Sequence, residues 1–465
     1  MPTSNLADLV DPNFPLYCYT LEKLTPVYDQ ANGKKTVAKL FMGEWVKLRL
    51  KKNEAPPSEG RAPVLYRGGQ GYVDVSALSR RRTLEIFFID VGVGDSILIQ
   101  TPDDRRVLID GGQTSDAYDF IRNKYRLDKP DHYVDFEAVI ATHCDMDHAK
   151  GLIDILTDKR IAVKRVFHNG LFKRNDDGIG RVQNGRAFEL LDAPGAKTRP
   201  PLAPLMKKFV EAVGAAKRNL PAVAKKMKKI ERWRGRFEMP EEGFTFRRLD
   251  AAEKFLPPFD DTNRHLIIEV LWPRATLSGG EPSYKYYRDV GKTVNGNSIV
   301  LRVVHGRNRI LLTGDLNAAS MGDLVAICPG GVEAEVYKAA HHGSQDFTAD
   351  FVRAVKANAA VISSGDDKND QHGHPRAVLL GSITRHSRCE KPAVFCTELA
   401  ACFQKLSAKE RKSFQSNQLY ERTIRGVVHL RSDRERLYLG TVHGIREAAD
   451  PLANVNWKWD VWPDD

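Results

Sequence analysis

Long apolar runs are missing from this sequence: across 465 residues none approaches the roughly 18 apolar side chains that would suggest a membrane span. Cysteine is scarce as well. Its six positions, Cys18, Cys144, Cys328, Cys389, Cys396 and Cys402, are scattered, which excludes a disulfide scaffold or a paired zinc ribbon and predicts reduced, mostly buried thiols. Residues Met1 to Leu9 have neither the basic start nor the apolar stretch of a secretory leader. A cytoplasmic protein with no membrane segment is the expectation. Acidic charge is in the minority, 60 Asp+Glu against 71 Lys+Arg, and the formal net charge of +11 favours an anionic partner. Hydrophobic residues at 42% and charged ones at 28% sit near globular averages and exclude a disordered or fibrous chain.

Between Leu16 and Leu78, short β-branched segments alternate with turn residues, among them Pro26-Val27-Tyr28, Thr36 to Leu40, Trp45 to Leu48, Val64-Leu65-Tyr66 and Gly71 to Val75. This rhythm predicts a small all-β barrel over 1–80. Val27-Tyr28, Val37 to Leu40, Gly43 to Val46 and Gly71-Tyr72-Val73 resemble the bacterial SH3-like domain, which implies a docking module for a protein partner. From Thr83 the runs become continuously apolar, as strands buried on both faces should be: Leu84 to Val91, Ser96 to Gln100, Arg106 to Asp110 and Ala138 to Thr142. A second set follows at Leu266 to Leu271, Ser298 to Val304, Arg309 to Thr313, Glu335 to Lys338 and Ala360 to Ser363. The reading is one α/β domain over 81–445 with an insertion at about 171–261, then a tail at 446–465.

The insertion is rich in proline and basic residues. From Lys207 to Arg236 there are eleven Lys and Arg against Glu211 and Glu231. Lys207, Lys208, Lys225, Lys226, Lys228, Lys229, Arg232, Arg234 and Arg236, with Trp233 and Phe237 beside them, suit phosphate contacts and base stacking. A solvated helix face is an equally good reading of such a run.

The chemistry concentrates in Thr142-His143-Cys144-Asp145-Met146-Asp147-His148, directly after the apolar strand ending at Ile140. Imidazole and carboxylate in one short loop suit Zn²⁺, Mn²⁺ or iron rather than a soft-metal site. Further donors should arrive from later strand ends. Leu311 to Asp315 is an apolar strand closing on a carboxylate, and Val336 to Ser344 closes on His341-His342.

Taken in order, Asp90 to Ser96, Leu108 to Gly112, His143 to His148, Asn297 to Leu301, Leu312 to Asp315, His341 to Ser344 and Asn369 to Pro375 resemble the metallo-β-lactamase-fold hydrolases. The likeness is to the branch that includes the extramembrane domain of the DNA-uptake channel ComEC. It implies a four-layer αββα sandwich with one or two divalent ions at an edge between two sheets. By the same likeness, His143 and Asp145 would hold the first metal and Asp147 and His148 the second, with Asp315 bridging and His342 completing the second. His341 would face substrate, and Asp110 and Asn297 would support the ligands from behind. Asp145 stands where many relatives carry histidine, which tilts the site toward Mn²⁺. Asn295 and Asn297 lie about where a further histidine ligand would fall, leaving the first metal weakly held or absent.

The activity implied is a metal-dependent phosphodiesterase, a nuclease acting on DNA before RNA through a metal-activated hydroxide. Asp147 would serve the metal chemistry, while His341, Lys338 or His374 would stabilise charge or protonate the leaving oxygen. Two rivals use the same residues differently: a small-molecule metallohydrolase or phosphoesterase, and a non-catalytic nucleic-acid or protein-binding module.

Overall fold

Alternation along each strand sorts the side chains of this chain into layers. In the strand Leu84–Phe88, Ile86 and Phe88 point into one apolar cluster and Phe87 into another. The same period of two separates Ile97 and Ile99 from Leu98, and Val107 and Ile109 from Leu108. Every residue in these strands is buried, so both faces of the sheet are covered. The computed structural model describes residues 17–50, 54, 57–66, 69–195, 198–230, 237–260, 266–328, 330–365, 374–401 and 422–441. Arg232, Trp233, Arg234, Arg236, His372 and the tail expected at 446–465 lie outside them.

Two sheets stack face to face. The first has eight strands, in the order Thr245–Arg248, Arg165–His168, Ala138–Ala141, Arg106–Ile109, Ile97–Gln100, Leu84–Phe88, Val428–Ser432 and Leu437–Thr441. The second has six: Leu266–Trp272, Val300–His305, Asn308–Leu312, Val336–Lys338, Ala359–Ile362 and Ala393–Cys396. Ile86, Phe88 and Ile140 from the first meet Ile268, Leu301, Ile310 and Val361 from the second. Helices Asp116–Lys124, Leu152–Thr157 and Pro204–Met227 cover the outer face of the first sheet, and Ala318–Ile327, Ala349–Val355 and Ala377–His386 that of the second. The result is an αββα sandwich of mixed sheets. Phe88 is fully buried between the sheets, so Phe88→Ala is expected to cost about 3–5 kcal/mol, read as a lower denaturant midpoint at unchanged slope. Among the described residues no helix is long and apolar enough to cross a membrane.

Residues 17–79 form a separate seven-stranded antiparallel β region around Cys18, Val27, Leu40, Val46, Val64 and Val73. It rests on the first sheet's last strands. Arg431 donates to the Met42 carbonyl at 2.8 Å and pairs with buried Glu85 at 3.3 Å, and the Phe41 and Tyr438 rings meet edge to face at 5.3 Å. Gly43 is required at this seam: its φ is +80°, and a Cβ there would lie 2.4 Å from Thr83 Oγ1.

The middle segment is less of an insertion than its composition suggests. Met206, Phe209, Val213, Ala216, Leu220, Val223 and Met227 recur at helical spacing, and this stripe is buried in the 24-residue helix Pro204–Met227. After it, Thr245–Arg248 adds the edge strand of the first sheet. Lys207, Lys208, Lys225, Lys226, Lys228 and Lys229 are all exposed.

Candidate metal centre

In each sheet four neighbouring strands run parallel, so their carboxyl ends open on one edge, where such folds bind ligands. Asp110, Thr142 to His148, Asp315, His341-His342 and Ser363 all follow such strand ends. Distance along the chain is thereby cancelled. His148 and His342, 194 residues apart, bring their Nε2 atoms to 3.3 Å.

Around that point His148 Nε2 lies 3.3 Å from Asp315 Oδ1 and 3.7 Å from Asp147 Oδ2. His342 Nε2 lies 3.2 Å from Asp147 Oδ2 and 3.3 Å from Asp315 Oδ2. One donor atom from each of Asp147, His148, Asp315 and His342 therefore falls within 4.8 Å of the others. His143 and Asp145 stand to one side, with His143 Nε2 at 3.9 Å from Asp145 Oδ2 and 4.0 Å from Asp315 Oδ2.

The imidazoles are oriented from behind. Asp110 accepts from the Thr142 backbone at 2.7 Å and its hydroxyl at 2.6 Å, and from His148 Nδ1 at 2.8 Å. A carboxylate only accepts, so the His148 proton is held on Nδ1 and Nε2 faces the cluster. The Ser363 carbonyl does the same for His342 Nδ1 at 3.1 Å. The Thr142 and Ser298 hydroxyls, at 3.1 and 3.3 Å, face His143 Nδ1 and leave its Nε2 without a hydrogen-bond partner. Asp110, His341 and His342 adopt positive φ of 57°, 50° and 53°, a strained backbone of the kind that collects at functional sites. Gly94 lets the Asp90 to Ser96 loop pass, since a Cβ there would lie 2.1 Å from the Asp147 carbonyl oxygen.

Electrostatics point the same way. Burial disfavours a charged His148, yet Asp315, Asp147 and Asp110 outweigh it and hold its pKa well above the usual imidazole range. His342 follows, with Asp315, Asp147 and Asp95 overcoming burial. Burial would raise Asp315, but His342, His148 and His341 drive it well below the carboxylate range. His143, which is buried and repelled by His148, is pushed down. Asp315 Oδ1, like His143 Nε2, is buried without a hydrogen-bond partner. Lone pairs without donors, among carboxylates that hold protons on their neighbours, are the donor set a divalent cation fits.

Other residues singled out from the sequence are placed differently. Lys338, expected to reach substrate, is fully buried; its ammonium pairs with Asp95 and faces the Gly314 carbonyl at 3.4 Å. Asp95 in turn lies 3.4 Å from His342 Nδ1, so Lys338 acts on the site through Asp95. Asn297 donates to the Lys285 and Thr293 carbonyls and secures a loop instead of a ligand. His341 is partly exposed, with Nε2 at 3.9 Å from Asp315 and its ring edge to face with His374 at 5.8 Å. His168 is buried between Phe172 and Phe246, and burial brings it to a pKa of about 3. The basic helix approaches the site at one end only. Met206 and Phe209 share a small cavity with His143, Cys144 and His168, whereas Met227 packs on Ala162 and Phe237, about 30 Å further along.

Asp95, Ser298 and Lys173 have roles at the site that the sequence motifs do not assign. Lys173 Nζ sits 2.5 Å from Asp145 Oδ1, a partnership no local motif announces. Asp110→Asn keeps the shape and tolerates the positive φ but removes the charge behind His148 and turns one of the two acceptor oxygens into a donor, so that His148 Nδ1 and the Thr142 amide can no longer both be satisfied. It is expected to weaken Mn²⁺ binding about 10- to 100-fold by calorimetry; unchanged affinity would contradict the orienting role.

Comparison with known proteins adds to this geometry. A family model described as the metallo-beta-lactamase superfamily matches residues 89–365. ComE operon protein 3 of Bacillus subtilis (strain 168) is 34% identical over 94 residues, 20% of this chain and 12% of that protein. Competence protein ComA of Neisseria gonorrhoeae is 36% identical over 93 residues, 20% of this chain and 13% of that protein. The matches thus span about an eighth of these relatives' length. Among solved structures, CmlA, a diiron beta-hydroxylase from Streptomyces venezuelae, aligns with a TM-score of 0.34 and 10% identity, over 69% of this chain and 54% of that one.

Proposed function

The chain belongs to the metallo-β-lactamase superfamily, and from that premise we propose that it is a divalent-metal-dependent phosphodiesterase acting on nucleic acid, DNA before RNA. The observation that carries this reading is the convergence of Asp147, His148, Asp315 and His342 at the open edge of the sandwich. Bound there, a divalent ion supplies a Lewis acid for a phosphoryl oxygen and brings the pKa of water toward neutrality. Mn²⁺ or Zn²⁺ suits the mixed carboxylate and imidazole set.

The chain's own groups do the remaining work. Asp110 and the Ser363 carbonyl keep Nε2 of His148 and His342 turned inward. His341, partly exposed beside Asp315, is placed to hold a proton at Nε2 for the leaving oxygen, with His374 against its ring. The exposed lysines of the long helix and its end supply a sequence-independent attraction for phosphates. The partial likeness to a ComE operon protein and a competence protein supports DNA as the polymer.

The test is a cleavage assay on single- and double-stranded DNA and RNA and on a small chromogenic phosphodiester, each with Mn²⁺, Zn²⁺ or Mg²⁺. Metal-dependent DNA cleavage is expected. Hydrolysis confined to small esters would move the assignment to a small-molecule metallohydrolase.

A further inference from the structure

Within this metal-dependent reading, we propose that Lys173 stands in for a second metal ion: its ammonium occupies the charge position beside Asp145, and the chain holds a single divalent ion on Asp147, His148, Asp315 and His342. Asp145 is held on both sides by groups of the chain itself. Its Oδ1 lies 2.5 Å from Lys173 Nζ. The Asn295 amide, turned so that its nitrogen meets acceptors, donates to Asp145 Oδ2 at 3.2 Å and to the Gly291 carbonyl at 3.3 Å. Oδ2 thus accepts from an amide of this chain, while Oδ1, which has no hydrogen-bond donor, is held in an ion pair with the ammonium. A second cation would have to displace the ammonium and the amide together.

The remaining donors on that side are few. His143 Nε2 is 3.9 Å from Asp145 and 4.0 Å from Asp315, and Asp315 already belongs to the four-donor cluster. Among the described residues, the other gathering of ligand atoms is Asp95, Asp110 and His148. There Lys338 sits on Asp95, and both oxygens of Asp110 are bonded. Each flank of the cluster thus carries an ammonium of the chain's own.

Lys173 is held where it is. Its carbonyl accepts from the Ala203 amide at 3.0 Å, just before the helix Pro204–Met227, and the adjacent Arg174 is buried with its backbone amide bonded to Gly178. Its side chain is 39% exposed, so the ammonium also faces the mouth of the site. Removing the ammonium would leave a partly buried carboxylate without its cation, a situation that favours capture of another.

The experiment counts ions. The wild-type chain, Lys173→Met and Lys173→Arg are dialysed against Mn²⁺, analysed for metal per folded chain, and titrated calorimetrically. One ion is expected for wild type and for Lys173→Arg, and two for Lys173→Met. Two ions in the wild type with affinities within tenfold of each other would overturn the proposal, as would a single ion in Lys173→Met. No ion in any of the three would instead overturn the metal-dependent reading itself.

Discussion

Asp147→Ala is expected to lower metal-dependent phosphodiester cleavage by about 10³-fold or more, equivalent to about 4 kcal/mol in the barrier, while the protein stays folded. The residue lies at the rim of the cluster with its side chain 24% exposed, so the sandwich does not depend on it. Its Oδ2, however, is 3.2 Å from His342 Nε2 and 3.7 Å from His148 Nε2, within reach of an ion those imidazoles share. Its carboxyl is held well below the usual range because His148 and His342 outweigh the cost of burial. Removing it takes away one of four donors and one of two carboxylates in the cluster. Steady-state kinetics with circular dichroism as the folding control check this. Wild-type turnover in a folded mutant would remove the metal mechanism.

Reversing the charges at Lys225, Lys226, Lys228 and Lys229 together is expected to weaken cleavage of long DNA roughly 10²- to 10³-fold at moderate salt, through KM. Hydrolysis of a small chromogenic diester should be unaffected. Deleting Lys207 to Arg236 would test the same idea poorly, because Phe209, Val213 and Leu220 on that helix belong to the core. These four lysines lie at the end remote from the metal cluster, about 30 Å along the helix from Met206, a distance a polymer spans and a small ester does not. The salt dependence carries the signature: each phosphate that a lysine no longer neutralises lowers the slope of log K against log salt by about one. An unchanged slope and KM would assign the run to ordinary solvation.

Much of the site was legible because the fold concentrates it at strand ends. Leu108 to Asp110, Ile140 to His148 and Leu312 to Asp315 each read as an apolar run that stops on ligand-type residues, and parallel pairing brings those stops to one edge. Ion-pair partners were not legible in the same way. Lys338 follows two apolar residues at a strand end, which in the sequence alone looks like a cation aimed at substrate. Only the packing of the Asp90 to Ser96 loop shows that Asp95 takes it. Lys173 was hidden for the same reason, since its partner lies 28 positions earlier in another loop. The basic segment misled by composition. Its charges drew attention from the stripe Met206, Phe209, Val213, Ala216 and Leu220, whose spacing already encodes a helix packed on the core.

Anomalous X-ray scattering from crystals grown with Mn²⁺ locates a bound ion without reference to activity. A peak within coordinating distance of His148 Nε2, His342 Nε2, Asp147 and Asp315 is the outcome this structure requires. A peak held by His143 and Asp145 alone, or no peak at this edge of the sandwich, would show that these side chains converge for some purpose other than gripping a cation.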